Sequence, residues 1–324
     1  MLDFEKAQQI VNNELDKYQF NSSPKELYDP VRYILALGGK RIRPALTLMA
    51  CSVFNDAVHQ AIKPALAFEV FHNFTLLHDD LMDNSEIRRG KETVHEKWDP
   101  NIAILSGDVM SIMSYRILSE SEDEHLKDLL QVFNVTALQV CEGQQYDMSF
   151  ETRMDVSVEE YLKMIELKTA VLVAASLKAG AICGGADLLE ADIMYEFGRN
   201  MGMAFQLRDD YLDVFGDPKI FGKKIGNDIL TNKKTYLLIK ALERSVGEVN
   251  KELMDWITME DFDPAIKIRS VTGIYKKLEL DRISNELAVT HVEKALQYLE
   301  RVKVPDQRKV SLKDFAGKLM TRIK

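Results

Sequence analysis

Two short acidic runs stand out by residue type and spacing: HDDLMD, carrying Asp79, Asp80 and Asp83, and RDDYLD, carrying Asp209, Asp210 and Asp213. Both read DDxxD. On a helix, Asp79 and Asp83 are four residues apart and share a face, as do Asp209 and Asp213. Like charges at that spacing repel, so each pair is mildly destabilising unless a cation lies between the carboxylates. Mg2+ prefers oxygen ligands, keeps several waters and often binds phosphates at the same time. Two such clusters facing each other could therefore hold a diphosphate through bridging metals. One copy could arise by chance on a solvated face; two copies, each inside an apolar helical pattern, argue against decoration.

Basic residues complement these acids in four stretches: GGKRIRP (Gly38 to Pro44), IRRGKETVH (Ile87 to His95), LKT (Leu167 to Thr169) and FGKKIGNDILTNKKT (Phe221 to Thr235). Local groups of Lys and Arg suffice for phosphorylated small molecules. The formal charge of -9 argues against a nucleic-acid protein, which would need a net basic footprint. Cys51, Cys141 and Cys183 form neither a disulfide framework nor a zinc-site spacing, and are expected to be ordinary core thiols.

The elements that must position these groups are helices. Residues Ala61 to Asp83, Ala103 to Leu118, Leu126 to Phe150, Glu159 to Cys183 and Leu188 to Val214 carry a 3.6-residue apolar pattern. Gly38-Gly39, Asn84 to Gly90, Gly184-Gly185 and Gly216 to Gly226 read as breakers. The segment leading into the first acidic run is apolar nearly all round and belongs in a core, where carboxylates need a partner cation. With 324 residues, 46% of them hydrophobic, the chain is expected to form one all-α domain over residues 1–324. The start lacks a secretory signal pattern and no apolar run reaches the ~18 residues of a membrane span, so a cytoplasmic protein without a transmembrane segment is expected.

Taken in order, the two DDxxD motifs and the four basic stretches closely resemble the trans-isoprenyl diphosphate synthases, or polyprenyl synthetases, over roughly residues 28 to 240. The resemblance implies a bundle of long helices around a deep central cavity, usually a homodimer, that condenses isopentenyl diphosphate with an allylic diphosphate. It implies three Mg2+ ions: two on Asp79 and Asp83, a third on Asp209, with Asp80, Asp210 and Asp213 supporting. It assigns the allylic diphosphate to Arg88, Lys168, Lys223 and Lys233, with Thr169 and Gln206 near the reacting carbons. It assigns isopentenyl diphosphate, which binds without metal, to Lys40, Arg43, His72 and Arg89. Asp147 and Gln144 are expected to line or support the cavity, and Gly216 to Gly226 resembles a flap over the diphosphate. Arg41 and Lys224, beside matched positions, are expected to be surface charges.

The chemistry independently demands such a set. Ionising an allylic C–O bond needs positive charge around the departing diphosphate, and water must be kept from the cation. No dedicated base is evident, and in the family the released diphosphate is thought to take the proton. Phe74 and Phe71, five and eight residues before Asp79, lie about one turn apart and could form the cavity floor. In the family a bulky ring at the first of these positions goes with short products, so a C15 or C20 product is expected, C20 slightly ahead. A single-substrate cyclase would not need the isopentenyl set, a non-catalytic relative should show broken acidic motifs, and a phosphohydrolase would need a positioned water.

Overall fold

A computed structural model of the chain describes residues 2–18, 20, 22–216 and 225–321. The described residues are almost entirely helical: α1 (Phe4–Lys17), α2 (Lys25–Ala36), α3 (Ile42–Phe54), α4 (Ile62–Met82), α5 (Val94–Lys97), α6 (Pro100–Leu118), α7 (Asp123–Glu151), α8 (Val158–Ile165), α9 (Val171–Cys183) and α10 (Leu188–Phe215). Shorter helices follow at Asn227–Leu230, Tyr236–Arg244, Gly247–Thr258 and Pro264–Lys277, then two longer ones at Leu280–Arg301 and Asp306–Thr321. The one sheet among these residues is a two-stranded antiparallel hairpin, β1 (Ile87–Arg88) and β2 (Lys91–Glu92). No helix among them is long and apolar enough to cross a membrane.

The all-α expectation therefore holds, and the helix bounds follow the apolar pattern except in one place. The run read as a single helix over Glu159 to Cys183 is α8 and α9 joined by a π turn, Glu166–Ala170. Helix starts are set by local chemistry. Asp99 accepts from the Asn101 and Ile102 amides ahead of α6, with Pro100 at its first position. Ser157 and Glu160 form a capping box at α8.

The chain forms two compact units. The first comprises residues 1–135, 175–195 and 302–315; the second comprises 136–174, 196–301 and 316–324. In the first, α4 buries Ala65, Phe68, Val70, Phe71 and Leu77 and packs against α3 and α6. A methyl group on Gly180 would sit 2.0 Å from the Thr47 carbonyl, so only glycine lets the end of α9 approach α3 this closely. The second unit has its own core of Val214, Ile229, Leu237, Leu253, Ile274 and Leu280. Cys51 and Cys183 are core thiols; Cys141 is exposed, because its side of α7 faces out rather than in.

Candidate active site

In the first unit α4 ends at the first acidic motif. Asp79 is partly exposed, Asp80 is buried (3% exposed) and Asp83, which caps the helix, is exposed. The chain then turns into the β1–β2 hairpin, which returns Arg88 to Asp80: Nε lies 2.6 Å from Oδ2 and Nη2 2.6 Å from Oδ1. Burial pushes the Asp80 carboxyl up, and the Arg88 guanidinium works against that rise. Asp80 is thus tied to protein, while Asp79 and Asp83 stay open to solvent.

The hairpin turn sends Arg89 the other way. Arg89 and Gly90 both have left-handed backbones (φ 53° and 76°), and the Arg89 guanidinium donates to the Gly38 carbonyl. It lies against Gly39, where a methyl group would sit 2.9 Å from the nearest guanidinium nitrogen and where φ is +142°, so glycine is needed on both grounds. Arg43 Nη1 sits 3.0 Å from His72 Nε2. A guanidinium can only donate, so His72 accepts through Nε2 and is neutral. Burial, then Arg43, Arg89 and other nearby arginines, drive the His72 pKa well below its ordinary value. Burial lowers Arg43 to about 10, with Glu69 opposing. Exposed Lys40 stands between the Gly39 turn and Arg43.

One expectation fails here. Arg41 is not a surface charge; it is 7% exposed and donates from Nη1 to Glu69 Oε1 at 2.5 Å. A left-handed backbone at Arg41 (φ 48°) turns its side chain inward. Glu69 went unread in the sequence, although a carboxylate inside an otherwise apolar helix already implies a buried partner.

Behind these groups lies a cluster of rings. Phe71 and Phe74 meet edge to face at 5.3 Å, Phe71 meets Phe133 of α7 at 5.2 Å, and Phe74 meets His78 at 4.9 Å. Phe71 is buried and Phe74 partly exposed. His78 Nε2 lies 3.1 Å from the Ile104 carbonyl of α6.

In the second unit the second acidic motif follows a parallel logic. Asp210 is buried and accepts from Tyr161 Oη at 2.5 Å and Gln206 Nε2 at 2.8 Å. Gln206 Oε1 in turn accepts from Thr169 Oγ1 at 3.0 Å. Burial raises the Asp210 carboxyl to about 6. Asp209 and Asp213 are partly exposed. Lys168 and Thr169 lie on the π turn, a break frequent at functional sites. A methyl group on Gly143 of α7 would sit 2.3 Å from the Lys168 amide, so glycine admits that turn. Lys168 Nζ is 2.6 Å and Lys233 Nζ 3.7 Å from one oxygen of Asp147, so this acid brings the two lysines together. Burial works to raise Asp147, but Lys233 and Lys168 outweigh it and hold the carboxyl low.

Asp213 anchors the strand of chain that returns toward Lys233. Its carbonyl accepts from the Gly226 amide at 2.6 Å and its Oδ2 from the Asp228 amide at 2.9 Å. Asp228 was also missed in the sequence; burial, reinforced by Asp210 and Asp213, pushes its carboxyl up to about 8. Lys234 is buried and donates to the Asn232 carbonyl at 3.2 Å, whereas Lys233 is exposed. Lys223, Lys224 and most of the Gly216 to Gly226 stretch lie outside the described residues.

The donors suit a hard divalent cation. In each motif the middle aspartate is occupied by protein groups, and the first keeps carboxylate oxygens toward solvent. Among the described residues, the three-ligand group whose atoms lie within 4.8 Å of one another is Glu122, Glu124 and His125, at the start of α7 and outside both motifs. An ion held by only one or two carboxylates completes its shell with water and phosphate oxygens, as Mg2+ does.

The polyprenyl synthetase family model matches residues 24–274. A geranylgeranyl diphosphate synthase of Methanosarcina mazei is 38% identical over 286 residues, covering 86% of this chain and 84% of that protein. A short chain isoprenyl diphosphate synthase of Methanothermobacter thermautotrophicus is 37% identical, covering 88% and 87%. A crystal structure of a geranylgeranyl pyrophosphate synthase superposes with a TM-score of 0.94 at 45% identity, covering 99% of both chains.

Proposed function

The chain belongs to the polyprenyl synthetase family, and from that premise we propose that it condenses isopentenyl diphosphate with an allylic diphosphate to give a trans-prenyl diphosphate of C15 to C20, C20 slightly ahead. It is a trans-prenyltransferase. The observation that carries this reading is the coexistence, in the first unit, of an open carboxylate pair with a separate basic group, Lys40, Arg43, His72 and Arg89. A single-substrate enzyme would have no use for that second group.

Asp79 and Asp83 would hold two Mg2+ ions and Asp209 a third. When bound, the metal supplies positive charge to the diphosphate as its C–O bond breaks. The chain's own part is binding and orientation. Arg88, Lys168, Lys223 and Lys233 grip the allylic diphosphate, and Asp80 and Asp147 keep Arg88 and the Lys168–Lys233 pair aimed. Gln206 is fixed from both sides, by Thr169 and Asp210, so its amide presents one orientation toward the reacting carbons. Arg43 and Arg89 hold the second diphosphate with Lys40. His72 is neutral and keeps its Nδ1–H for a hydrogen bond. The C–O bond ionises, the second substrate's double bond attacks C1, and the proton is lost without a dedicated side-chain base. Phe74 and Phe71 limit the growing tail.

A cytoplasmic homodimer is part of the same reading. Ile104, Leu105 and Ile112 of α6 are 45%, 57% and 68% exposed, more apolar surface than one helix of a monomer usually shows. Light scattering should give twice the chain mass, and Ile112→Asp should lower it.

Purified protein with Mg2+, labelled isopentenyl diphosphate and each allylic starter should accumulate C15 or C20 diphosphate, and a chelator should stop it. Incorporation with no starter, despite folded protein, would overturn the reading.

A further inference from the structure

We propose that the buried Arg41–Glu69 ion pair is the positioning device of the isopentenyl diphosphate site: it sets Lys40 and Arg43 for the diphosphate without touching it. The proposal rests on the functional reading above.

Arg41 is tied at every nitrogen. Besides the 2.5 Å contact with Glu69, Nη2 donates to the Leu35 carbonyl at 2.8 Å and Nε to Asn12 Oδ1 at 3.3 Å. Glu69 is 2% exposed, and its Oε1 also accepts from Asn73 Nδ2 at 3.0 Å. A buried pair satisfied on both sides resists removal of either partner. It therefore works as a fixed point.

What it fixes is the loop on either side. Arg41 holds a left-handed backbone, which a long side chain adopts only when its surroundings impose it. With that side chain driven inward, the residues before and after it are set by the same turn. Lys40 is exposed, and its carbonyl accepts from Gln8 Nε2 at 3.0 Å. Arg43 comes within 3.0 Å of His72, three residues beyond Glu69 on α4. Loop and helix are thus registered at two points, 41 to 69 and 43 to 72. The first is buried and saturated; the second is where a diphosphate would enter.

Glu69 also acts through charge. It is the carboxylate that favours the charged forms of both Arg43 and Arg89, although it carries Arg41 directly. Three guanidinium groups gathered in one small region repel. One buried acid among them lets the arrangement persist before substrate arrives, so less reorganisation accompanies binding.

The test is titration calorimetry with isopentenyl diphosphate in the absence of metal, together with KM for both substrates, on the parent, on Glu69→Gln and on the apolar double variant Arg41→Met/Glu69→Leu. Replacing both members of a buried pair by apolar groups is often neutral or stabilising, so the double variant keeps the question open if Glu69→Gln folds poorly. We expect isopentenyl diphosphate to bind at least about tenfold more weakly in both variants, with KM for the allylic substrate within about twofold of the parent. That split is what positioning predicts and a purely structural role does not. Parent-like binding of isopentenyl diphosphate by the double variant, or equal losses for both substrates, would overturn the proposal while leaving the function intact. A parent that neither binds nor incorporates isopentenyl diphosphate would overturn both.

Discussion

Arg88 reaches Asp80 through two nitrogens, with Nε and Nη2 each 2.6 Å from a different carboxylate oxygen. This fork-on-fork contact is directional as well as strong. It gives the middle aspartate of the first motif a task different from its neighbours: Asp80 aims a cation, while Asp79 and Asp83 keep their oxygens for solvent or metal. Asp210 is committed in the same way, to Tyr161 and Gln206.

The division of labour is measurable. Asp80→Asn loses one charge and part of the fork, so KM for the allylic diphosphate should rise by about tenfold, roughly the value of one charge-assisted hydrogen bond. The Mg2+ concentration for half-maximal rate should change little. Asp79→Asn should do the reverse, raising the Mg2+ requirement and lowering kcat by at least about a hundredfold. Rates measured across a Mg2+ series for both variants decide it; indistinguishable Mg2+ curves would refute the distinction.

The two phenylalanines before the first motif differ in what their removal costs. Phe74 is partly exposed, so Phe74→Ala should fold normally and shift products to longer chains, read by chromatography of the hydrolysed alcohols. Phe71 is buried against Phe133, and Phe71→Ala should cost about 3 kcal/mol of stability, within the range for large-to-small core changes. Unaltered chain length from Phe74→Ala would remove that ring from the floor.

Much of this was legible in the sequence because it rests on local spacing. The 3.6-residue pattern located α4, α6, α7 and α10, and DDxxD followed the apolar runs of α4 and α10 in place. What escaped depends on partners distant in sequence. Arg41 turns inward because Glu69 waits 28 residues on. The π turn at Lys168 is not a propensity of Glu166–Ala170; it accompanies the close approach that Gly143 allows. Asp228 looks like one acid among lysines until the fold sets its amide on Asp213.

Gly107 is another such long-range requirement. A methyl group there would lie 2.1 Å from His78 Nε2, inside the space the imidazole uses to reach the Ile104 carbonyl. Gly107→Ala must therefore displace the His78 ring, next to Asp79 in the chain and against Phe74. Overpacking of this kind costs about 1–3 kcal/mol, partly offset by alanine's better helix propensity. Thermal unfolding should show a lower Tm, and kcat should fall with it. His78→Ala in the same chain should recover most of the Tm, since the clash is with that ring.

The second unit carries a pH signature of its own. His291 Nδ1 lies 3.0 Å from Asn200 Oδ1, and burial, helped by Lys294 and Arg199, lowers its pKa from 6.5 to about 4. The unfolded chain thus binds a proton at His291 between pH 6.5 and 4 that the folded chain refuses. Stability from this group is fully present above pH 6.5 and is lost as pH falls toward 4. At about 1.4 kcal/mol per pKa unit the ceiling is about 3 kcal/mol, and solvent around the partly exposed ring reduces it to about 1–2. Urea unfolding of parent and His291→Gln at pH 7.5 and pH 5 measures the difference. The gap between the two proteins should favour the parent at pH 7.5 and shrink or reverse at pH 5, and an equal gap at both pH values would show that His291 titrates alike in folded and unfolded chains.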